Sequence, residues 1–242
     1  MTQSNPKKKI AVIGLKGLPA FGGAATVGEN IIEQLSDKYD FTVYAISSHT
    51  DLKTGKYKDK CYQIVFKALP LKILNTVFYY FRSAIHALFQ NYDLIHLHHR
   101  PTSFIIPILK LKRYKVVLTT HGMQAESKVR KISTLVNMQD IMFMKHADMI
   151  TTVSKKDYNI VINNVKIDES KMCFIPNGIN NLEENNLFSL NKKNNYILFA
   201  AARIFESKGC HLFLKALINL NYEGTVLIIG QLDDKNEYND NI

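Results

Sequence analysis

Short apolar, β-branched runs alternate with helix-patterned segments along nearly the whole chain, and this alternation constrains the fold more than any other feature. Lys9 to Ile13 reads as a strand ending at Gly14. Behind it, Val27, Ile31, Ile32 and Leu35 form the stripe of a helix, with Thr26 expected to cap it ahead of Glu29. Phe41 to Ile46 is a second strand, His49 to Lys60 a polar loop, and Cys61 to Leu69 a third strand closed by Pro70. Ile73 to Gln90 is a long helix with apolar residues on more than one side. Asp93 to Arg100 holds the next strand, Ser103 to Leu111 a helix limited by Pro107, and Lys115 to Thr120 a further strand. Val129 to His146 is helical in pattern, Asp148 to Val153 a strand, Ser154 the cap of a helix through Asn163, and Met172 to Ile175 a strand. Strict alternation of this kind predicts an α/β chain with a doubly wound, Rossmann-like parallel sheet, whose ligands sit at the C-terminal ends of the strands.

The strand ends therefore supply the candidate residues: the Gly17 to Gly23 loop, His98 to Arg100, His121-Gly122 and Ser154. A strand, a glycine loop and a helix start make an anion cradle, because helix-terminal N–H groups carry partial positive charge and glycine lets a ligand approach the backbone. A purely structural tight turn is the alternative. A dinucleotide site does not fit, since Gly14, Gly17, Gly22 and Gly23 do not form G-x-G-x-x-G. Ser47-Ser48 also stands where an acidic residue would hold a ribose. His96 and His98 share one face of their strand and His99 points to the other. They could hold a metal, bind hydroxyls at a pocket edge, or simply pack. Lys110, Lys112, Arg113 and Lys115 precede a strand, at the end opposite to ligands, and read as a solvated face or a lipid contact.

Charge narrows the partners. Lys and Arg number 31 against 21 Asp and Glu, a formal charge of +10, which calls for an acidic partner. Nucleic acid is the weakest choice, because no RNA- or DNA-reading motif is present and the basic residues are dispersed. Phosphorylated small molecules and anionic lipid remain. Leu71 to Phe89 is interrupted by Lys72, Asn75, Arg82 and His86, which argues against a membrane span. The same helix could instead lie on a membrane, with Arg82 and Lys72 at head groups and Phe78, Tyr79 and Tyr80 dipping in. The polar, basic start MTQSNPKKK has no apolar region behind it, so no signal peptide is expected. Cys61, Cys173 and Cys210 are scattered singly, which suits a reducing cytoplasm and offers no zinc site.

Composition shifts at Asn180 to Asn195, rich in Asn, Glu and Lys, and a new unit begins. Tyr196 to Ala201 reads as a strand, Arg203 to Gly209 as a loop, Cys210 to Leu220 as a helix, and Thr225 to Gly230 as a strand. The expected division is 1–180, a linker 181–195, and 196–242. Two strands and one helix cannot enclose a core, so the second domain is expected to be the incomplete start of a larger one.

The order of motifs resembles glycosyltransferase family 4, the retaining transferases with the GT-B fold of two Rossmann-like domains facing across a cleft. Four pieces carry the resemblance: Gly17-Leu18-Pro19 with Gly22-Gly23; Thr119-Thr120-His121-Gly122; Ala147-Asp148 through Val153-Ser154 with Ile175-Pro176-Asn177-Gly178; and Arg203 followed by Lys208-Gly209. The opening also looks like the branch that builds bacterial capsule and O-antigen chains, including rhamnosyltransferases. The resemblance implies a nucleotide diphosphate sugar as donor, a polysaccharide or lipid-linked glycan as acceptor, and no cofactor or metal.

By that resemblance Arg203 and Lys208 grip the donor diphosphate, which gains charge as the glycosidic bond breaks. Gly22 and Gly23 approach the phosphate from the first domain, and His121 lines the sugar at the reacting centre. Gly17, His98, His99, Arg100 and Gly122 are the expected acceptor or sugar contacts. The chain departs from the family pattern at Ala202 and Ser207, where Gly and Glu are common, and at Asn180, where Asp is expected. The paired-glutamate segment E-x7-E would lie beyond Ile242. This chain alone is therefore expected not to turn over, and the alternative is a non-catalytic acceptor-binding half that needs a partner.

Overall fold

The computed structural model describes residues 6–70, 72–122, 142–178, 196–204 and 206–232. They fall into two compact units, 1–178 and 179–242. The expected helix from Val129 lies outside the described residues up to 141, as do the Asn180 to Asn195 segment and the last ten residues.

The first unit is built on eight strands: β1 (Lys8–Lys16), β2 (Tyr39–Ile46), β3 (Gly55–Tyr57), β4 (Cys61–Phe66), β5 (Leu94–His98), β6 (Lys115–Thr120), β7 (Met149–Thr152) and β8 (Met172–Phe174). Their order across the sheet is β3-β4-β2-β1-β5-β6-β7-β8. All pairs are parallel except β3 with β4. The polar stretch expected to be a loop at His49 to Lys60 thus contains a short antiparallel edge strand, Gly55–Tyr57. The order reverses around β1, whose two neighbours are β2 and β5. Ligands of open α/β sheets bind outside such a switch point.

The described helices of this unit are α1 (Gly23–Leu35), α2 (Lys72–Leu88), α3 (Ile106–Lys110) and α4 (Lys155–Ile160). Side-chain alternation sends each strand's residues to two cores. Val12, Phe41 and Val43 pack with Ile32 of α1 on one face; Ala11, Ile13, Tyr44 and Ile46 pack with α2 and α3 on the other. Ser154 caps α4 as expected, its Oγ accepting from the Asp157 N–H at 3.0 Å. Thr26 does not cap α1. The helix begins earlier, behind Gly22 (φ 101°), and Thr26 Oγ1 donates back to the Gly22 carbonyl.

α2 buries Tyr79, Tyr80, Ala84 and Ala87, so the two tyrosines cannot enter a membrane. Tyr79 Oη donates to the Tyr44 carbonyl at 2.7 Å. The face left outside carries Leu74, Val77, Phe78, Phe81 and Ile85. Among the described residues no helix is long and apolar enough to cross a membrane.

In the basic cluster before β6, Lys112, Arg113 and Lys115 are exposed as expected of a solvated face, while the lysines also hold local contacts. Lys110 pairs with Asp148 and donates to the Tyr114 carbonyl at 3.0 Å. Lys115 lies 3.8 Å from the same carboxylate, and Lys112 donates to the Gln90 carbonyl and to Asn91 Oδ1.

In the second unit, β9 (Tyr196–Ile204) and β10 (Thr225–Leu232) pair in parallel and α5 (Cys210–Asn219) connects them. β9 runs past Arg203, which sits opposite Gln231, so this residue is on a strand and not in the expected loop. Leu198, Ile218, Ile228 and Ile229 of this unit stay exposed.

Candidate active site at the strand ends

The exit of β1 is held by three contacts. The Leu18 N–H donates to Gln63 Oε1 at 2.7 Å, Thr50 Oγ1 donates to the Leu18 carbonyl at 2.6 Å, and the Ala20 N–H donates to Glu29 Oε2 at 2.8 Å. Tyr57 Oη donates to the other Glu29 oxygen at 2.6 Å. Glu29 therefore braces the glycine loop. A Cβ on Gly17 would stand 2.8 Å from the His49 carbonyl oxygen, so only glycine lets β1 and β2 leave the sheet this close together. Gly22 and Gly23 differ from it: added Cβ atoms there meet nothing within 4 Å. That leaves room beside the first turn of α1, where an anion cradle would form.

The β5 and β6 ends supply the histidines. His96 and His98 share a face with ring centroids 4.0 Å apart, and His98 Nδ1 lies 3.4 Å from His121 Nε2. His96 Nε2 is 2.7 Å from Thr119 Oγ1, which is 2.6 Å from Thr151 Oγ1. Burial, then the neighbouring His121, pushes His96 down to about 4. Burial, with His96 and His121 beside it, keeps His98 well below the ordinary imidazole range, and burial lowers His121. All three rings are thus neutral near pH 7. One proton shared between His98 and His121 sets the tautomer of both, leaving His121 Nδ1 as the nitrogen not engaged by His98.

The structure brings Gly17, Gly22, His98, His99, Arg100, His121 and Gly122 to the same C-terminal edge of the first sheet. His98 itself is buried and can only position His121, whereas His99 is exposed at the rim. Two residues outside the sequence-based candidates join them. Lys16 ends β1 with a left-handed backbone (φ 68°), and His49 follows β2. Each stands at a strand end, the signal that singled out the others. In the second unit, Lys208 closes a 3-10 turn and is exposed, directly ahead of Gly209 (φ 77°), which opens α5.

Among the described residues no three His, Cys, Asp or Glu side chains are grouped to hold a metal. A depression of about 510 Å³, lined by Lys7, Tyr39, Lys60 and Phe89 among others, opens at the other edge of the sheet, away from every strand-end candidate.

The fold has close relatives among solved structures. The structure of HepE from Anabaena in complex with UDP matches with a TM-score of 0.70 at 16% identity, over 97% of this chain and 64% of that one. A trehalose-6-phosphate enzyme from E. coli bound with UDP-2-fluoro glucose matches with a TM-score of 0.66 at 14% identity, over 96% and 67%. The catalytic domain of starch synthase IV from Arabidopsis thaliana, bound to ADP and acarbose, gives 0.64 at 13%, over 94% and 69%. The chain thus spans under two thirds of HepE, and at these identities the likeness shows the fold, which is GT-B. No curated protein sequence matches it. The family model for glycosyltransferase family 4 matches residues 21–181, a stretch that begins at the glycine loop and takes in β5, β6 and β7 with their strand ends. On that match, the chain belongs to glycosyltransferase family 4.

Proposed function

We propose that the protein moves a sugar from a nucleotide diphosphate sugar to a hydroxyl of a polysaccharide or lipid-linked oligosaccharide, with retention at the anomeric carbon, in bacterial surface polysaccharide synthesis. The observation that carries this reading is the family match from residue 21 to 181 laid over a strand-end rim that gathers Gly22, His121 and Gly122. The solved relatives bound to UDP or ADP support a nucleotide donor.

In this reading residues 1–180 bind the acceptor, 181–195 link, and 196–242 open the donor-binding part. Arg203 and Lys208 are the second unit's contacts for the donor diphosphate, and the start of α1 at Gly22-Gly23 is the first unit's candidate for binding phosphate through N–H groups. Charge growing on the leaving group is then met by groups already oriented toward it. His121, held by His98, hydrogen-bonds the transferred sugar near its reacting carbon. The acceptor hydroxyl attacks from the face that the leaving phosphate departs, and that phosphate takes the proton. Gly17, His99, Arg100 and Gly122 line the acceptor side.

The work is placed at the cytoplasmic membrane surface. The exposed α2 face of Leu74, Val77, Phe78, Phe81 and Ile85, together with the charge of +10, supports peripheral contact with anionic lipid.

Calorimetric titration of the chain with UDP tests the donor reading. Lys208→Ala and Arg203→Ala should each weaken UDP binding by about tenfold or more, the value of a charge-assisted hydrogen bond. Equal affinity in the parent and both variants would contradict it.

A further inference from the structure

Lys16 is the last residue of β1, the strand at the switch point, and it stands between two neighbouring strand ends. In register it faces Ala45 of β2, one residue before that strand stops. Its successor Gly17 lies against the His49 backbone, and Gly14, two residues earlier, lies against the His98 carbonyl. The chain passes from there into His99. Lys16 is thus flanked by His49 on one side and His99 on the other.

Two features set this place apart. Lys16 (φ 68°) and His99 (φ 121°) are both non-glycine residues in backbone conformations that cost free energy. The same left-handed backbone occurs at Lys58, Asp59, Arg113, Lys166 and Asn221, and what is particular here is that two such residues lie at the ends of adjacent strands on one edge. The second feature is charge without a counter-charge. Among the described residues no carboxylate forms an ion pair with Lys16, His49, His99 or His121. Partial burial lowers the Lys16 ammonium, and after burial its charge is what lowers both His49 and His99. A half-buried ammonium between two imidazoles gains from an anion that brings its own charge to the rim.

We propose that Lys16, with His49 and His99, binds a phosphate group of the substrate, forming an anion subsite at the ends of β1, β2 and β5 in the first unit. This rests on the glycosyltransferase reading for what carries the phosphate: either a phosphorylated acceptor, such as a prenyl-linked glycan, or the donor diphosphate. Lys16 supplies the charge, and the imidazole N–H groups supply directed hydrogen bonds.

Amide NMR of the full chain tests it with inorganic phosphate as the probe. Phosphate should shift the signals of Gly17, His49 and His99 saturably. Lys16→Met should weaken that response by about tenfold or more, and Lys16→Arg should keep it. A thermal melt of Lys16→Met matching the parent shows that the variant folds. Phosphate that leaves these signals unmoved, or moves them equally in Lys16→Met, overturns the subsite. Parallel titrations name the source: geranyl phosphate acting more strongly than UDP at these signals assigns an acceptor phosphate, and the reverse assigns the donor. UDP shifting Gly209 while the Lys16 rim stays silent to phosphate, geranyl phosphate and UDP alike removes the subsite and leaves the transferase reading standing. Phosphate binding at the rim with UDP silent everywhere removes the donor reading and leaves the subsite.

Discussion

The two edges of the eight-stranded sheet are both rich in basic residues, yet they treat their charges in opposite ways. At the N-terminal edge part of the charge is matched by acids. Asp148 takes Lys110 and Lys115 and accepts the Val116 N–H at 2.7 Å, and Asp93 accepts the Lys9 N–H at 2.7 Å. Partial burial works against ionisation of Asp148, but Lys110 and the Val116 N–H outweigh it and hold the carboxyl below its ordinary range. At the C-terminal edge Lys16, His49, His99 and His121 have no such acid among the described residues, whereas left-handed backbone occurs at both edges, at Lys16 and His99 here and at Arg113 and Lys166 ahead of strands there. One edge uses charge to hold strands and turns together. The other keeps its charge for something that arrives from outside.

The comparison breaks first if the ligand edge proves tolerant. Gly14 has φ 120°, and a Cβ there would stand 2.1 Å from the His98 carbonyl oxygen, a backbone atom that cannot swing aside. Gly14→Ala should cost more than about 3 kcal/mol, or prevent folding, through backbone strain and overlap together. Urea denaturation giving a loss within about 1 kcal/mol would show that the β1 and β5 ends are not locked.

A second, smaller effect separates the edges by pH. His96 and His98 are neutral when folded, with His96 pushed down to about 4, whereas the unfolded chain takes up protons below the ordinary value of 6.5. Their contribution is complete above 6.5 and is lost as pH falls toward about 4, with a slope on the order of 1 kcal/mol per pH unit for each ring. Asp148, with its carboxyl lowered, is lost only at still lower pH. Urea midpoints should fall between pH 7 and pH 5, and His98→Gln should flatten that fall. Midpoints that stay level over this range would show that the rings are not desolvated.

The smallest effect is at the structural edge. Asp148→Asn should lower stability by about 1–2 kcal/mol, because the carboxylate is partly exposed and its ion pairs are screened. UDP affinity should be unchanged. A variant as stable as the parent with weakened UDP binding would reverse the roles assigned to the two edges.

Most of the sheet was legible in the residues because alternating β-branched runs and helix stripes carry their own period. The Gly55–Tyr57 strand was not, since an edge strand with solvent on one side needs little apolar patterning. The same absence of pattern hid the start of α1: Gly23, Ala24 and Ala25 carry no stripe, so the cap was sought at Thr26 and found at Gly22. Aromatic content alone could not say which way α2 faces. Tyr79 turned inward because Tyr44 offered a buried carbonyl for its hydroxyl, which only the β2 register provides. Lys110 looked like a surface charge because its partner Asp148 is far along the chain. Most strand-end candidates followed from the topology rule; it covers His49 and Lys16 too, but neither belongs to the glycine or histidine clusters that draw the eye. What singles out Lys16 is its place between two strand ends and the lack of an acidic partner among the described residues, neither of which is written in a side-chain pattern.

The most direct measurement compares one lysine from each edge. Chemical denaturation of the parent, Lys16→Met and Lys110→Met, each with and without inorganic phosphate, reads stability and ligand linkage together. Lys110→Met should be less stable than the parent by about 1 kcal/mol and still be stabilised by phosphate, having lost only a structural ion pair. Lys16→Met should match or exceed the parent without phosphate and gain nothing when phosphate is added. Equal phosphate stabilisation of parent and Lys16→Met, or its loss in Lys110→Met alone, would contradict the division of the sheet into a structural edge and a ligand edge.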